Sequence, residues 1–156
     1  MRGLRSSSSK RVVLCGSMSS HAIMEAISRQ LSSRGIRAVI PESDDKWAGV
    51  DDATMRKVKR KASLKHFELI RNDSTDAILV VNVDKNGVSD YIGPNAFAEI
   101  AVAFAENRRI FLLHGMPHAY ADELEAWGAQ CLHGNLAALA PVSRRLRSAQ
   151  QHLARA

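Results

Sequence analysis

Residues Ala77-Ile78-Leu79-Val80-Val81 form an unbroken apolar run between Asp76 and Asn82. A strand with no polar face must be covered on both sides. That is the position of a central strand in a parallel sheet packed between two layers of helices. The rest of the chain then has to supply neighbouring strands and covering helices. Arg11-Val12-Val13-Leu14-Cys15 is a second apolar run, ended by Gly16. A helix follows, with Ile23, Ala26, Ile27 and Leu31 as its apolar face and Gly35 as its stop. Residues 36–40 read as a further strand closed by Pro41. Such a strand–helix–strand unit predicts a right-handed crossover and parallel pairing.

The pattern continues. Residues 41–52 are polar and acidic, with Trp47 and Gly49 among them, and read as a surface loop near the ligand side. Met55, Val58, Ala62 and Leu69 give residues 53–71 a helical stripe, opposite a solvated basic face of Arg56, Lys57, Lys59, Arg60, Lys61 and Lys65. After the central run, 83–90 is a polar loop, a helix starts at Gly93, and 109–113 is a fourth strand. Residues 119–127 form a short helix, 129–132 a weak edge strand, and Gly134-Asn135-Leu136 opens a last helix. Alternating strands and helices predict an α/β fold: a doubly wound parallel sheet of about five strands with helices on both faces.

The chain's 156 residues suit one domain. Residues 11–143 are expected to form it, with a disordered basic tail at 1–10 and a basic helix end at 144–156. Eight of the 22 Lys and Arg residues fall in 1–11 and 144–156, which hold no acid; the other 14, against 16 Asp and Glu, leave the body at −2. The overall charge of +6 therefore belongs to the ends, where it adds at most salt-sensitive polyanion binding, and no specific nucleic-acid contact is expected. No apolar run reaches membrane-spanning length and no hydrophobic signal region opens the chain, so a cytoplasmic, membrane-free protein is expected. Cys15 and Cys131 lack CxxC spacing and read as buried free thiols.

Chemistry concentrates in Asp90-Tyr91-Ile92-Gly93-Pro94-Asn95-Ala96-Phe97-Ala98-Glu99-Ile100. Gly93 frees the backbone and Pro94 suits the first helical position. Phe97, Ile100, Ala101 and Phe104 recur as a buried stripe, with Glu99 beside it among alanines. Small neighbours leave room for a ligand, and the helix N-terminus favours an ionised carboxylate suited to nucleophilic attack. On spacing alone Glu99 reads first as an ordinary acid in the N-terminal half of a helix. The Gly16-Ser17-Met18-Ser19-Ser20 turn, at a helix N-terminus, fits either a phosphate or sugar hydroxyl or a plain strand-to-helix turn. Asp76, Asp84 and Asp90 add carboxylates, Asp76 reading as structural when taken alone. His66 reads as a packing or surface residue. His114 and His118 lack a third ligand, so no zinc site is expected. There is no GxGxxG and no GK[ST], which argues against nicotinamide enzymes and P-loop ATPases. No metal and no cofactor are expected.

The Leu14-Cys15-Gly16-Ser17-Met18 turn, the Asp76-Ala77-Ile78-Leu79-Val80-Val81 strand and Glu99-Ile100-Ala101-Val102-Ala103 together resemble the nucleoside 2-deoxyribosyltransferase superfamily. That superfamily also includes the 2′-deoxynucleoside 5′-phosphate N-hydrolases. The resemblance covers roughly residues 11–140 and rests on short motifs. It implies a flavodoxin-like (Rossmann-like) sheet, a homodimer or higher oligomer, and a nucleoside or nucleotide substrate whose N-glycosidic bond is cleaved or transferred. Glu99 would be the nucleophile, with Asp76 and Asp90 orienting the base or sugar. Gly16, Ser17, Met18 and Ser19 would hold the 5′ end. Asn82, Tyr91, Gly93 and Asn95 would complete the binding set. The family's glycine usually stands closer to its glutamate than Gly93 stands to Glu99. That departure leaves open a non-catalytic protein on the same fold that binds a nucleotide-like ligand.

Overall fold

The computed structural model describes residues 10–139; the expected basic tails, apart from Lys10, and residues 140–143 of the expected domain lie outside the described residues. Five strands, β1 (Arg11–Cys15), β2 (Arg37–Val39), β3 (Thr75–Val80), β4 (Arg109–Leu112) and β5 (Gln130–Cys131), form one sheet in the order β2-β1-β3-β4-β5. Every pairing is parallel, with Val13 opposite both Val39 and Ile78, and Ile78 opposite Ile110. The continuous apolar run is the central strand, flanked by β1 and β4. This is the doubly wound order of flavodoxin-like sheets.

The crossovers are α1 (His21–Ser33), α2 (Asp52–Arg71), α3 (Pro94–Ala105) and α4 (Ala121–Ala126). Alternate strand residues feed two separate cores. Val12, Leu14, Leu79 and Phe111 pack against Met24, Ile27 and Leu31 of α1. Val13, Cys15, Ile78, Val80 and Leu112 pack against Ile70 of α2, Ala96, Ile100 and Ala103 of α3, and Leu124 of α4. The chain therefore leaves β1 toward one face and β3 toward the other. That divergence opens a crevice between their carboxyl ends, the switch point of the sheet.

The helix ends explain why the crossovers are so short. After α1, Gly35 at φ 74° lets its N–H reach Ser32 O and that of Ile36 reach Leu31 O. After α3, Asn107 at φ 55° does the same, with Arg108 N–H on Ala103 O. These paired bonds satisfy the last carbonyls of each helix and turn the chain back toward the sheet. At the other end of α2, Asp51 accepts from Thr54 N–H at 2.9 Å and Thr54 Oγ1 at 2.6 Å, a side-chain N-cap.

Three helix faces depart from the apolar spacing. On α1 it is Met24 that enters the core, while Ile23 is 40% exposed. On α2 only His66 and Ile70 are buried; Ala62 is exposed and Met55 and Val58 are half-buried, because the N-terminal part of this helix runs over little of the sheet. On α3 the buried residues are Ala96, Glu99, Ile100 and Ala103. The aromatic residues turn away instead. Phe97 stacks on Tyr120 at 4.4 Å, and Phe104 stacks on Trp127 at 5.1 Å. Helix and sheet approach closely enough that alanines fill the gap, and the larger rings find room only toward α4. Glu99 thus belongs to the inward face of α3 rather than to its flank.

Candidate functional site

Glu99 comes inward from the second turn of α3 and meets the last residue of β1. Its carboxyl joins Cys15 Sγ and a His66 ring nitrogen in a buried group whose donor atoms all lie within 4.8 Å of one another. Cys15 Sγ is 3.6 Å from His66 Nε2, and the same Nε2 is 3.9 Å from Glu99 Oε1. Asn95, one turn earlier on α3, donates from Nδ2 to Glu99 Oε1 at 3.2 Å. Its own Oδ1 accepts from Ser63 Oγ of α2 at 3.2 Å. Three elements, β1, α2 and α3, therefore deliver one polar group into an apolar layer.

Burial sets the electrostatics. Loss of water pushes the Glu99 carboxyl up to about 7, with the contacts from Cys15 and Asn95 only partly opposing the rise. Burial also drives the Cys15 thiol well above its usual range, and the nearby Glu99 charge adds to it. His66 moves the other way, downward, for the same reason. The thiol and imidazole are thus held uncharged, and the carboxyl sits at the edge of ionisation. A nucleophile–base–orienter relay needs the thiol and the acid at opposite ring nitrogens. Here both approach Nε2, and burial raises the thiol's pKa, so the three groups are not arranged as such a relay.

A second group bridges the crevice between β1 and β3. Lys85 Nζ donates to Ser17 Oγ at 2.7 Å, and its ammonium lies 5.5 Å from the centre of the Tyr91 ring. Ser17 Oγ is also 3.0 Å from Ser19 Oγ. The turn after β1, the loop after β3 and the entry to α3 therefore meet, as the fold requires of a switch point. Gly16 is needed there: at φ 152° a Cβ would fall 2.8 Å from Met24 Cε and 3.1 Å from Val81 O. Gly93 precedes α3, with Pro94 at its first position, and lies under the Tyr91 ring. Lys85 was not among the residues singled out from sequence. Its position depends on a tight hairpin, with Lys85 and Val88 paired across Asn86 at φ 50° and Gly87 at φ 75°. Asn-Gly is the signal for that turn.

The other expected site residues separate. Asp90 lines a cleft of about 590 Å³ with Asp84, His114, Gly115 and His133, above the carboxyl ends of β4 and β5. Its Oδ1 accepts from Gly115 N–H at 3.1 Å, and its own N–H donates to Asp84 Oδ1 at 2.9 Å. Met18 and Ser19 line a cleft of about 370 Å³ on the β2 side, with His21, Glu25 and residues 43–45. Glu99 lines neither cleft and is 4% exposed, so the roomy pocket expected around an ionised carboxylate is replaced by a closed, proton-holding one. Asn82 is fully buried and spends its amide on structure: Nδ2 donates to Gly115 O at 2.8 Å and Oδ1 accepts from His114 N–H at 2.9 Å. Asp76 stands at the amino end of β3, opposite the ligand edge, where it pairs with Arg109. The structure brings Glu99 to Asn95 and to the end of β1, and does not bring Asp76 to them.

No protein-family model matches this chain, and no curated protein matches it. No helix among the described residues is long and apolar enough to cross a membrane.

Proposed function

We propose that this chain binds a nucleoside 5′-phosphate or a related nucleotide across the crevice between β1 and β3. This is the ligand class implied by its resemblance to the nucleoside 2-deoxyribosyltransferase superfamily. The observation that carries the reading is the Lys85–Ser17 contact. It puts a half-buried ammonium and two hydroxyls beside the turn that follows the first strand. A lysine is a point charge suited to a phosphate, and free N–H groups at the start of a crossover add to the same field. Tyr91, beneath the ammonium, offers a ring for a base or sugar to lie against.

N-glycosidic bond cleavage is the second reading, favoured by one observation: Glu99 lies at the end of β1, next to the turn that would hold the ligand. As a nucleophile it would bond to the anomeric carbon as the base departs with a proton, and water or a second base would then release the sugar. Homodimer formation is part of the same proposal and is read by sedimentation.

Calorimetric titration with deoxynucleoside monophosphates, followed by chromatography of the mixtures, tests both readings. Binding that weakens about tenfold or more in Lys85→Ala for monophosphates, but not for nucleosides, supports the phosphate site. Free base that vanishes in Glu99→Gln supports cleavage. Equal binding by the parent and Lys85→Ala overturns the first reading, and absence of free base overturns the second.

A further inference from the structure

We propose that Cys15 Sγ, His66 Nε2 and the Glu99 carboxylate form a binding site for a divalent transition metal of the zinc type. The argument begins with spacing. Around a tetrahedral zinc ion with Zn–S about 2.3 Å and Zn–N about 2.0 Å, a sulfur and a nitrogen ligand lie about 3.5 Å apart, and two N or O ligands about 3.4 Å apart. The observed separations are 3.6 Å between Cys15 Sγ and His66 Nε2 and 3.9 Å between Nε2 and Glu99 Oε1. All three donor atoms lie within 4.8 Å of one another, so rotamer shifts that draw the widest pair together by at most about 1.3 Å close the three onto one ion.

The donor set selects the metal. Thiolate, imidazole and carboxylate suit zinc, cobalt or their neighbours, whereas calcium and magnesium take oxygen ligands. One thiolate and one carboxylate balance a dication, which removes the cost of burying two like charges side by side. Three protein donors leave a fourth tetrahedral position for water or a ligand group.

A supporting shell is also in place. The Asn95 amide holds Glu99 Oε1 and is itself held by Ser63. Outer partners of this kind orient metal ligands. The ion would tie α2 and α3 to the end of β1, immediately before the Gly16 turn. The site is independent of the nucleotide reading. It competes with Glu99-based cleavage, because a carboxylate committed to a metal is not free to attack a sugar.

The test loads the full chain with Zn²⁺ or Co²⁺ alone, removes free ion by desalting and measures bound metal by mass spectrometry. One ion per chain is expected, and the cobalt form should show a thiolate-to-cobalt charge-transfer band. Cys15→Ser should abolish that band and weaken retention about tenfold or more. Cys131→Ser, altering the other free thiol, should change neither. Substoichiometric metal in the parent, a band that survives Cys15→Ser, or a band lost in Cys131→Ser overturns the proposal. Should Cys15→Ser not fold, the parent chain decides: zinc must raise its melting temperature and a chelator reverse the rise, and no shift overturns the site.

Discussion

The Asp90 carboxylate rests directly against Gly115. A Cβ on that glycine would fall 2.6 Å from Asp90 Oδ2, and the glycine's N–H already donates to Asp90 Oδ1. Gly115 also offers its carbonyl to Asn82, so one residue anchors the loop after β3 to the loop after β4. Gly115→Ala is expected to push the carboxylate away and lose that hydrogen bond, costing about 1–3 kcal/mol. Urea unfolding at neutral pH measures it. A loss below about 0.5 kcal/mol means the loop relaxes freely and the contact fixes nothing.

The Lys85 ammonium depends on the two-residue turn that precedes Val88. Gly87 at φ 75° has open space around it, so a side chain meets no clash but strains the backbone. Gly87→Val is expected to lower stability by about 1–2 kcal/mol and to loosen the hairpin. Affinity for a deoxynucleoside monophosphate should fall with it, while nucleoside affinity holds. Calorimetry on both ligands reads the difference. Equal losses for the two would mean that the turn shapes the whole crevice rather than placing one charge.

Some of this architecture is written locally in the sequence and some is not. The Ala77–Val81 run is central because a strand covered on both faces leaves no polar residue behind. Gly35 stops α1 because only a residue tolerant of positive φ makes that turn. The inward face of α3 was harder to read. Phe97 and Phe104 look more core-like than Ala96 and Ala103, yet the narrow gap to the sheet admits alanine, and the rings go to Tyr120 and Trp127. His66 carried no local sign of its role, because its partners Cys15 and Glu99 are brought to it only by the crossovers. Asp76 was legible only from its own place in the chain: in an all-parallel sheet a strand-leading residue must lie at the edge opposite the ligand, whereas the resemblance had put it in the ligand set. The Asn86-Gly87 signal was also present, and it points to Lys85.

Asp76 is expected to matter for folding alone. It pairs with Arg109 through Nη2, while Nη1 of the same guanidinium is buried with no hydrogen-bond partner, and both side chains are about four-fifths buried. Asp76→Asn keeps the shape but removes the charge, and should lower stability by about 1–3 kcal/mol. Monophosphate affinity should stay within about twofold of the parent, since this pair and the crevice lie at opposite ends of β3. A variant that keeps its stability but loses binding would return Asp76 to the ligand site.

Glu99 gives the chain a pH dependence whose sign is fixed by burial. In chelator-treated protein the folded carboxyl holds its proton up to about pH 7, whereas the ordinary value for the unfolded chain is 4.5. Below 4.5 both states are protonated and the group carries no penalty. As pH rises from 4.5 to 7 the unfolded chain ionises first, so folding loses stability, and above 7 the loss levels off at about 3 kcal/mol. His66, lowered by burial, acts at the other end: the unfolded imidazole protonates first as pH falls through 6.5, which also weakens folding. Cys15 keeps its proton across this range and adds nothing to the slope. Glu99→Gln removes only the alkaline limb. The variant should match the parent near pH 4 and exceed it at pH 8, with urea midpoints between those values tracing the divergence. Midpoints that stay parallel across the range would show a carboxyl that ionises as if solvated, and the closed environment around Glu99 would then be wrong.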